Sequence, residues 1–117
     1  MLIEFRVTNF RSFRDLQIFS MVAGAGSEHR ETHSFEAPTR EGQRLLASAA
    51  LYGPNAAGKT NLLKALQCMQ SVVVNSASSY PASAPIAYSP FKFDVLTHEA
   101  PTQFEVAFIE SGTRYEY

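Results

Sequence analysis

Gly53-Pro54-Asn55-Ala56-Ala57-Gly58-Lys59-Thr60 is the stretch whose reading decides the fold of this chain. It fits the pattern G-x-x-x-x-G-K-[ST], in which each residue type has a physical task. The glycines and the small Ala56 and Ala57 let backbone N–H groups turn inward and approach phosphate oxygens closely. Lys59 supplies a mobile ammonium for the β- and γ-phosphates, and the Thr60 hydroxyl is suited to ligate Mg²⁺. A helix opening at this loop would aim its unpaired N–H groups and positive dipole end at the same anion. With Gly at roughly 7% of average composition, a chance match is expected on the order of once in a few hundred chains of this length.

The pattern requires a strand before it and a helix after it. Leu45-Leu46-Ala47-Ser48-Ala49-Ala50-Leu51-Tyr52 is short and apolar, as a buried strand should be, although its alanines would equally suit a helix. From Thr60 to about Ser76, Leu62, Leu66, Met69 and Val73 recur at helical spacing with Leu63 alongside, and Lys64, Gln67 and Ser71 take the other face. Cys68, the single cysteine, excludes an internal disulfide and reads as a small buried apolar residue of that helix.

A chain of 117 residues with an apolar fraction of 45% has room for one domain with a modest core. The net charge of −1 sets up no global field favouring nucleic acid or membrane, although Arg6, Arg11 and Arg14 make the first third locally basic. No apolar run reaches membrane-spanning length and no signal-peptide layout opens the chain, so a reducing cytoplasm is the expected location.

Along the chain, Leu2 to Phe10 alternates, with Ile3, Phe5 and Val7 on one face and Glu4, Arg6 and Thr8 on the other: a half-buried strand. Asn9-Phe10-Arg11-Ser12 reads as a turn. Phe13 to Met21 reads as a second strand, Leu16 and Ile18 opposite Gln17 and Phe19, closing an antiparallel hairpin. Residues 22–44 keep no period and are expected to form a long surface loop or short irregular strand. Glu28, His29, Glu31, His33 and Glu36 within it have a metal-ligand look, but no third anchored ligand accompanies the two histidines, which favours a solvated loop. Residues 76–90, rich in Ser, Ala and Pro, read as a connector. Phe91 to Val95 is a candidate short strand. Thr102 to Ile109 is a clearer one, with Phe104, Val106 and Phe108 alternating against Gln103, Glu105 and Ala107. Glu110-Ser111-Gly112-Thr113 is a hairpin turn, and Arg114 to Tyr117 begins the return strand.

Ile3…Asn9-Phe10-Arg11-Ser12-Phe13, followed by Gly53 to Thr60 and then Asn61-Leu62-Leu63-Lys64-Ala65-Leu66, resembles the N-terminal part of ABC/SMC-like ATPases. The likeness is closest to the AAA-type ATP-binding proteins of bacterial abortive-infection, retron-associated and overcoming-lysogenisation-defect-like defence systems. It extends to Pro101-Thr102-Gln103-Phe104-Glu105-Val106…Tyr115-Glu116-Tyr117 and so runs across the chain.

The resemblance implies an α/β P-loop NTPase: a mixed sheet carrying the phosphate loop and its helix, flanked by an antiparallel layer from the first hairpin and the last strands. It implies ATP and Mg²⁺ as cofactors, with Gly53, Pro54, Asn55, Ala56, Ala57, Gly58, Lys59, Thr60 and Asn61 around the nucleotide and Thr60 on the metal. The turn after the first strand lies beside the nucleotide in such ATPases, which makes Arg11 and Ser12 candidates for phosphate or ribose contact. Phe13 becomes a candidate for adenine packing, with ordinary core as its other role.

Members of that family also use a carboxylate-bearing strand, a signature loop from a partner subunit and a polarising histidine. Val106-Ala107-Phe108-Ile109-Glu110 imitates the carboxylate strand, but its acid is single, is Glu, and leads directly into Ser111-Gly112, which itself lacks the Leu of a signature loop. The return strand also stops soon after its turn. Residues 1–117 are therefore expected to be a fragment, the N-terminal part of an ABC/SMC-like head, that binds ATP and hydrolyses little or none alone. The full-length protein is expected to be an ATPase forming homo-oligomers through its heads and acting with an effector nuclease or toxin in anti-phage defence. A nucleotide-gated scaffold with little hydrolysis and a DNA-binding repair-type ATPase are the alternatives. No Asn-Lys-x-Asp-type guanine reader is present, which disfavours GTP.

Overall fold

The computed structural model describes residues 1–76 and 89–117. In order, the elements are β1 (Leu2–Thr8), β2 (Gln17–Ser20), α1 (Arg30–His33), β3 (Ser34–Glu36), β4 (Arg44–Leu46), α2 (Lys59–Asn75), α3 (Val95–Glu99), β5 (Gln103–Glu110) and β6 (Thr113–Glu116). A four-stranded sheet has the order β2-β1-β5-β6, and β3 pairs with β4 in a separate hairpin. The expected connector over 76–90 lies, except at Ser76, Ser89 and Pro90, outside the described residues.

The chain divides into two compact units. One comprises Met1–Arg6, Ile18–Leu51 and Glu105–Tyr117. Its core is Ile3, Ala37, Leu45 and Ile109, with Phe35 and Ala107 packed against it. Met1 and Ile109 exchange both backbone bonds, the pattern of an antiparallel pair. β5 and β6 are antiparallel with Glu110 opposite Thr113. Ser111 and Gly112 between them both have positive φ, +49° and +78°, as a two-residue turn matching the strand twist requires. On β5 the residues in this core are Ala107 and Ile109, while Phe108 stacks on Tyr115 at 5.4 Å. The Glu4 hydrogen bond to Arg6, then the Glu4 and Glu105 charges, raise the Arg6 pKa from its ordinary value.

Residues 22–44 are more regular than their sequence pattern. His29 starts α1, and Ser34–Glu36 pairs in register with Arg44–Leu46, placing Leu45 fully inside. Three-residue strands are too short to show a period, which is why they escape a window of hydropathy. The half-buried Arg44 ties the hairpin down, donating to Ser34 Oγ (2.9 Å), Ser34 O (2.7 Å) and Arg30 O (3.0 Å). The strand expected over 45–52 is confined to β4. The alanine-rich continuation has no strand beside it among the described residues, and Leu51 and Tyr52 are exposed. Among the described residues the stretch Gly53 to Thr60 follows no paired strand, and the pairings seen there belong to antiparallel strands within a mixed α/β fold.

The other unit comprises Val7–Gln17 and Tyr52–Phe104. Its organising residue is Asn9, 2% exposed and left-handed at φ +52°. Asn9 Nδ2 donates to the carbonyls of Thr97 and Ala100, both at 2.8 Å, and Oδ1 accepts from Phe91 N–H at 3.0 Å. Its own carbonyl accepts from Thr102 Oγ1 at 2.7 Å. Phe10 and Phe13 exchange backbone bonds of 2.9 and 2.8 Å around a left-handed Arg11. That tight turn explains why the second strand begins only at Gln17 instead of Phe13. Phe10 meets Phe104 edge to face at 5.5 Å.

The strand expected over 91–95 is instead a helix start. Asp94 caps α3, its carboxylate accepting from Leu96 N–H at 3.0 Å, and Phe93 is almost fully exposed. In α2, Ala65 is buried and Leu62, Leu66, Met69 and Val72 are half-buried, whereas Leu63 and Val73 face solvent. The inward stripe thus runs 62, 65, 66, 69, 72, turning onto Val72 at the position expected of Val73.

Asn9→Ala removes the partners of two carbonyls and one N–H at a buried site. It should lower unfolding free energy by about 2–4 kcal/mol, read by urea denaturation. Amides of residues 91–102 should lose hydrogen-exchange protection first, and unchanged stability would contradict the role given to Asn9.

Candidate nucleotide-binding site

The stretch Gly53 to Thr60 is a loop that runs straight into α2. Ala57 N–H donates to Pro54 O at 3.3 Å across a four-residue turn in which Ala56 is left-handed at φ +64°. Gly58 follows, left-handed at φ +89°, and caps α2 without a side-chain bond; its carbonyl accepts from Asn61 N–H (2.9 Å) and Leu62 N–H (3.1 Å). Alternating hand along short residues is what curves successive amides toward one concave face. The N–H groups of Lys59 and Thr60, which open α2, have no intrahelical acceptor, so the loop and helix together present donors to the same space.

Lys59 Nζ donates to the carbonyls of Gly53 and Pro54, each at 2.7 Å. Its charge is thereby folded back over the loop that carries it. Thr60 is exposed in the first turn of the helix, and Gly53 to Ala57 are exposed throughout. This donor set, with no side chain larger than Asn between Pro54 and Gly58, fits a triphosphate with Mg²⁺: curved amides, one ammonium and one hydroxyl.

The turn after β1 lies against this loop. A β-carbon at Gly58 would stand 2.9 Å from Phe13 Cε1 and 3.4 Å from Ser12 Oγ. Asn61 Nδ2 donates to Ser12 Oγ at 2.8 Å. Ser12, Phe13, Arg14, Asp15, Gln17, Ala56, Ala57 and Phe91 line an open groove of about 440 Å³ beside the loop. Ser12 and Phe13 are therefore at the site. Arg11 is placed differently: its N–H donates to Ser89 O at 2.7 Å and its guanidinium lies over the Phe10 ring, 5.6 Å from the centroid. Arg14 is the cation of the groove, held by Asp94 at 3.2 Å and near Asp15 at 3.9 Å. In the sequence Arg14 counts only toward a basic first third and Phe91 only toward a short strand; the reciprocal Phe10–Phe13 bonds and the Phe91 bond to Asn9 bring them here.

Elsewhere, His29 and His33 stack with ring centroids 4.9 Å apart. Among the described residues no group of three or more His, Cys, Asp or Glu side chains is placed to hold a metal. Nor is any helix among them long and apolar enough to cross a membrane. Glu110, the carboxylate at the end of β5, is exposed beside the Ser111-Gly112 turn.

Comparison with protein-family models matches residues 48–117, well over half of the chain, to the family described as "AAA domain, putative AbiEii toxin, Type IV TA system". The chain belongs to this family. As an AAA-domain protein related to abortive-infection systems, it shares with them the expectation of nucleotide binding that its loop geometry raised independently. AAA-domain proteins are generally ATPases that take ATP with Mg²⁺. No curated protein and no solved structure matches the chain significantly.

Gly58→Ala forces a β-carbon into the Phe13 ring at a left-handed position. It should cost about 1–3 kcal/mol of stability and weaken triphosphate binding; urea denaturation and titration calorimetry measure the two effects separately.

Proposed function

We propose that Gly53 to Thr60 holds the triphosphate of Mg-ATP and that the chain is the nucleotide-binding part of an ABC/SMC-like AAA-type ATPase. The observation that carries this reading is the pair of left-handed residues, Ala56 and Gly58, delivering the chain into α2 at Lys59. Backbone amides of the loop and first helical turn orient the phosphates. Lys59 exchanges two neutral carbonyl acceptors for anionic phosphate oxygens, which adds ion-pair attraction to bonds whose donor is already charged. The Thr60 hydroxyl, exposed in the first turn of α2, would hold the metal. Mg²⁺, when bound, would supply charge neutralisation for the phosphates. Ser12 and Phe13, at the tip after β1, flank the same loop, Ser12 accepting from Asn61, whereas Arg11 is directed toward Phe10.

In this reading ATP drives head-to-head homo-oligomerisation and control of an effector, in keeping with the toxin–antitoxin description of the family. The chain of 117 residues by itself binds ATP and hydrolyses little or none of it. A DNA-binding role finds less support, because Arg6 is engaged by Glu4 and Glu105, Arg14 by Asp94, and Arg11 by the Phe10 ring. These arginines are compensated where they stand instead of forming an open cationic surface.

Thermal denaturation with increasing Mg-ATP should show saturable stabilisation, amounting to about 2.7 kcal/mol when ATP reaches 100 times its dissociation constant. Lys59→Ala should weaken Mg-ATP by about ten- to a hundredfold without lowering stability in the absence of nucleotide. Well-folded protein that shows no shift would remove the assignment. Light scattering with ATP, and with a non-hydrolysable analogue, separates the two oligomer readings: growth in mass with both marks a binding-gated scaffold, growth that reverses only with ATP marks a hydrolysis cycle.

A further inference from the structure

We propose that Ser12 and Phe13 are positioning residues for the phosphate loop, setting triphosphate affinity through Gly58 and Asn61 and not by touching the nucleotide. The proposal rests on the triphosphate reading above and specifies how that site is held in shape.

The loop has little of its own to fix it. Gly53 to Ala57 are exposed, the turn bond from Ala57 to Pro54 is long at 3.3 Å, and Gly58 has no side-chain cap. Glycine takes positive and negative φ with similar ease, so φ +89° at Gly58 is permitted by the residue and not enforced by it. Against it lies the ring of Phe13, occupying the volume that a side chain at Gly58 would need, with a β-carbon there 2.9 Å from Cε1. Three residues on, Asn61 Nδ2 reaches Ser12 Oγ at 2.8 Å. The two ends of the first turn of α2, Gly58 and Asn61, are thus each held by one of two adjacent side chains.

The support itself is rigid. Phe10 and Phe13 exchange bonds of 2.9 and 2.8 Å, Asn9 N–H donates to Arg14 O at 3.2 Å, and Arg11 N–H donates to Ser89 O at 2.7 Å. A fixed turn pressed on a permissive loop is a device for preorganisation: the ordering cost is met in folding, and binding is tighter by that amount. Ser12, with its hydroxyl already accepting from Asn61, acts on the loop through that bond.

Titration calorimetry with two probes, Mg-ATP and Mg-tripolyphosphate, tests this, since the second probe has no base or ribose. Phe13→Ala should weaken both by the same factor, about three- to tenfold, and Phe13→Leu should restore part of the loss. Ser12→Ala and Asn61→Ala should each weaken both probes a few-fold, and the double variant should be no weaker than the worse single one. Loss confined to Mg-ATP in Phe13→Ala would show the ring touching the base and overturn the proposal. So would additive losses at Ser12 and Asn61, or wild-type affinity in all five variants. Should Phe13→Ala lose its helical circular dichroism, the exposed Ser12–Asn61 pair decides alone. Wild-type protein that binds neither probe overturns the triphosphate reading itself, a result distinct from the others because no variant enters it.

Discussion

A single buried amide orders the half of the molecule that contains the candidate site. Asn9 ends β1, turns left-handed, and meets four polar groups of residues 91–102 with its side chain and carbonyl. A left-handed conformation costs a non-glycine residue roughly 1–2 kcal/mol, and Asn tolerates it best because its short side chain bonds locally. Here that side chain satisfies two carbonyls and an N–H at almost no exposure to water, where each unsatisfied group would cost about 1–3 kcal/mol. The balance favours the turn. Neither Ala, which offers no partner, nor Asp, which cannot donate to the carbonyls of Thr97 and Ala100, could take its place.

From Asn9 the geometry passes to the loop by short steps. The left-handed end of β1 feeds the Phe10–Phe13 turn, the turn presents Phe13 and Ser12, and these meet Gly58 and Asn61. Electrostatics follows the same path. Arg14 lines the groove but is answered by Asp94, whose other carboxylate oxygen caps α3. Lys59 faces only neutral carbonyls. Of the two cations beside the loop, Lys59 is the one whose charge is not already matched by a carboxylate, and a polyanion would gain most from it.

What could be read in the sequence was whatever depends on neighbours close along the chain. The spacing of Leu62, Leu66 and Met69 announced α2, the alternation of Ile3, Phe5 and Val7 announced β1, and Ser111-Gly112 announced its turn. The small residues and Lys59 announced the loop. The stripe of α2 was misjudged at Leu63, which faces solvent, and at its end, where Val72 and Val73 are both apolar and packing alone decides between them. Asn9 looked like an ordinary turn residue, because its partners lie more than eighty positions away in sequence. Asp94 was hidden for a different reason: Phe91, Phe93 and Val95 imitate strand alternation, and only the cap bond to Leu96 shows the helix. Of the β3–β4 hairpin, β4 showed only as the start of the apolar run from Leu45, and β3 was too short to register.

The contrast between the two flanks of the phosphate loop has the same origin and a consequence for the site. A helix meets its backbone needs within itself, by bonds four residues apart, so α2 forms wherever its apolar stripe finds cover. A strand meets them only across a ladder, and residues 47–52 have no strand beside them among those described. The loop is consequently anchored on one side by α2 and on the other by little more than the Lys59 bonds to its own carbonyls. In that setting the contacts from Ser12 and Phe13 take over part of what a buried strand would otherwise do. They fix where the helix begins, and with it where the amides and Lys59 converge.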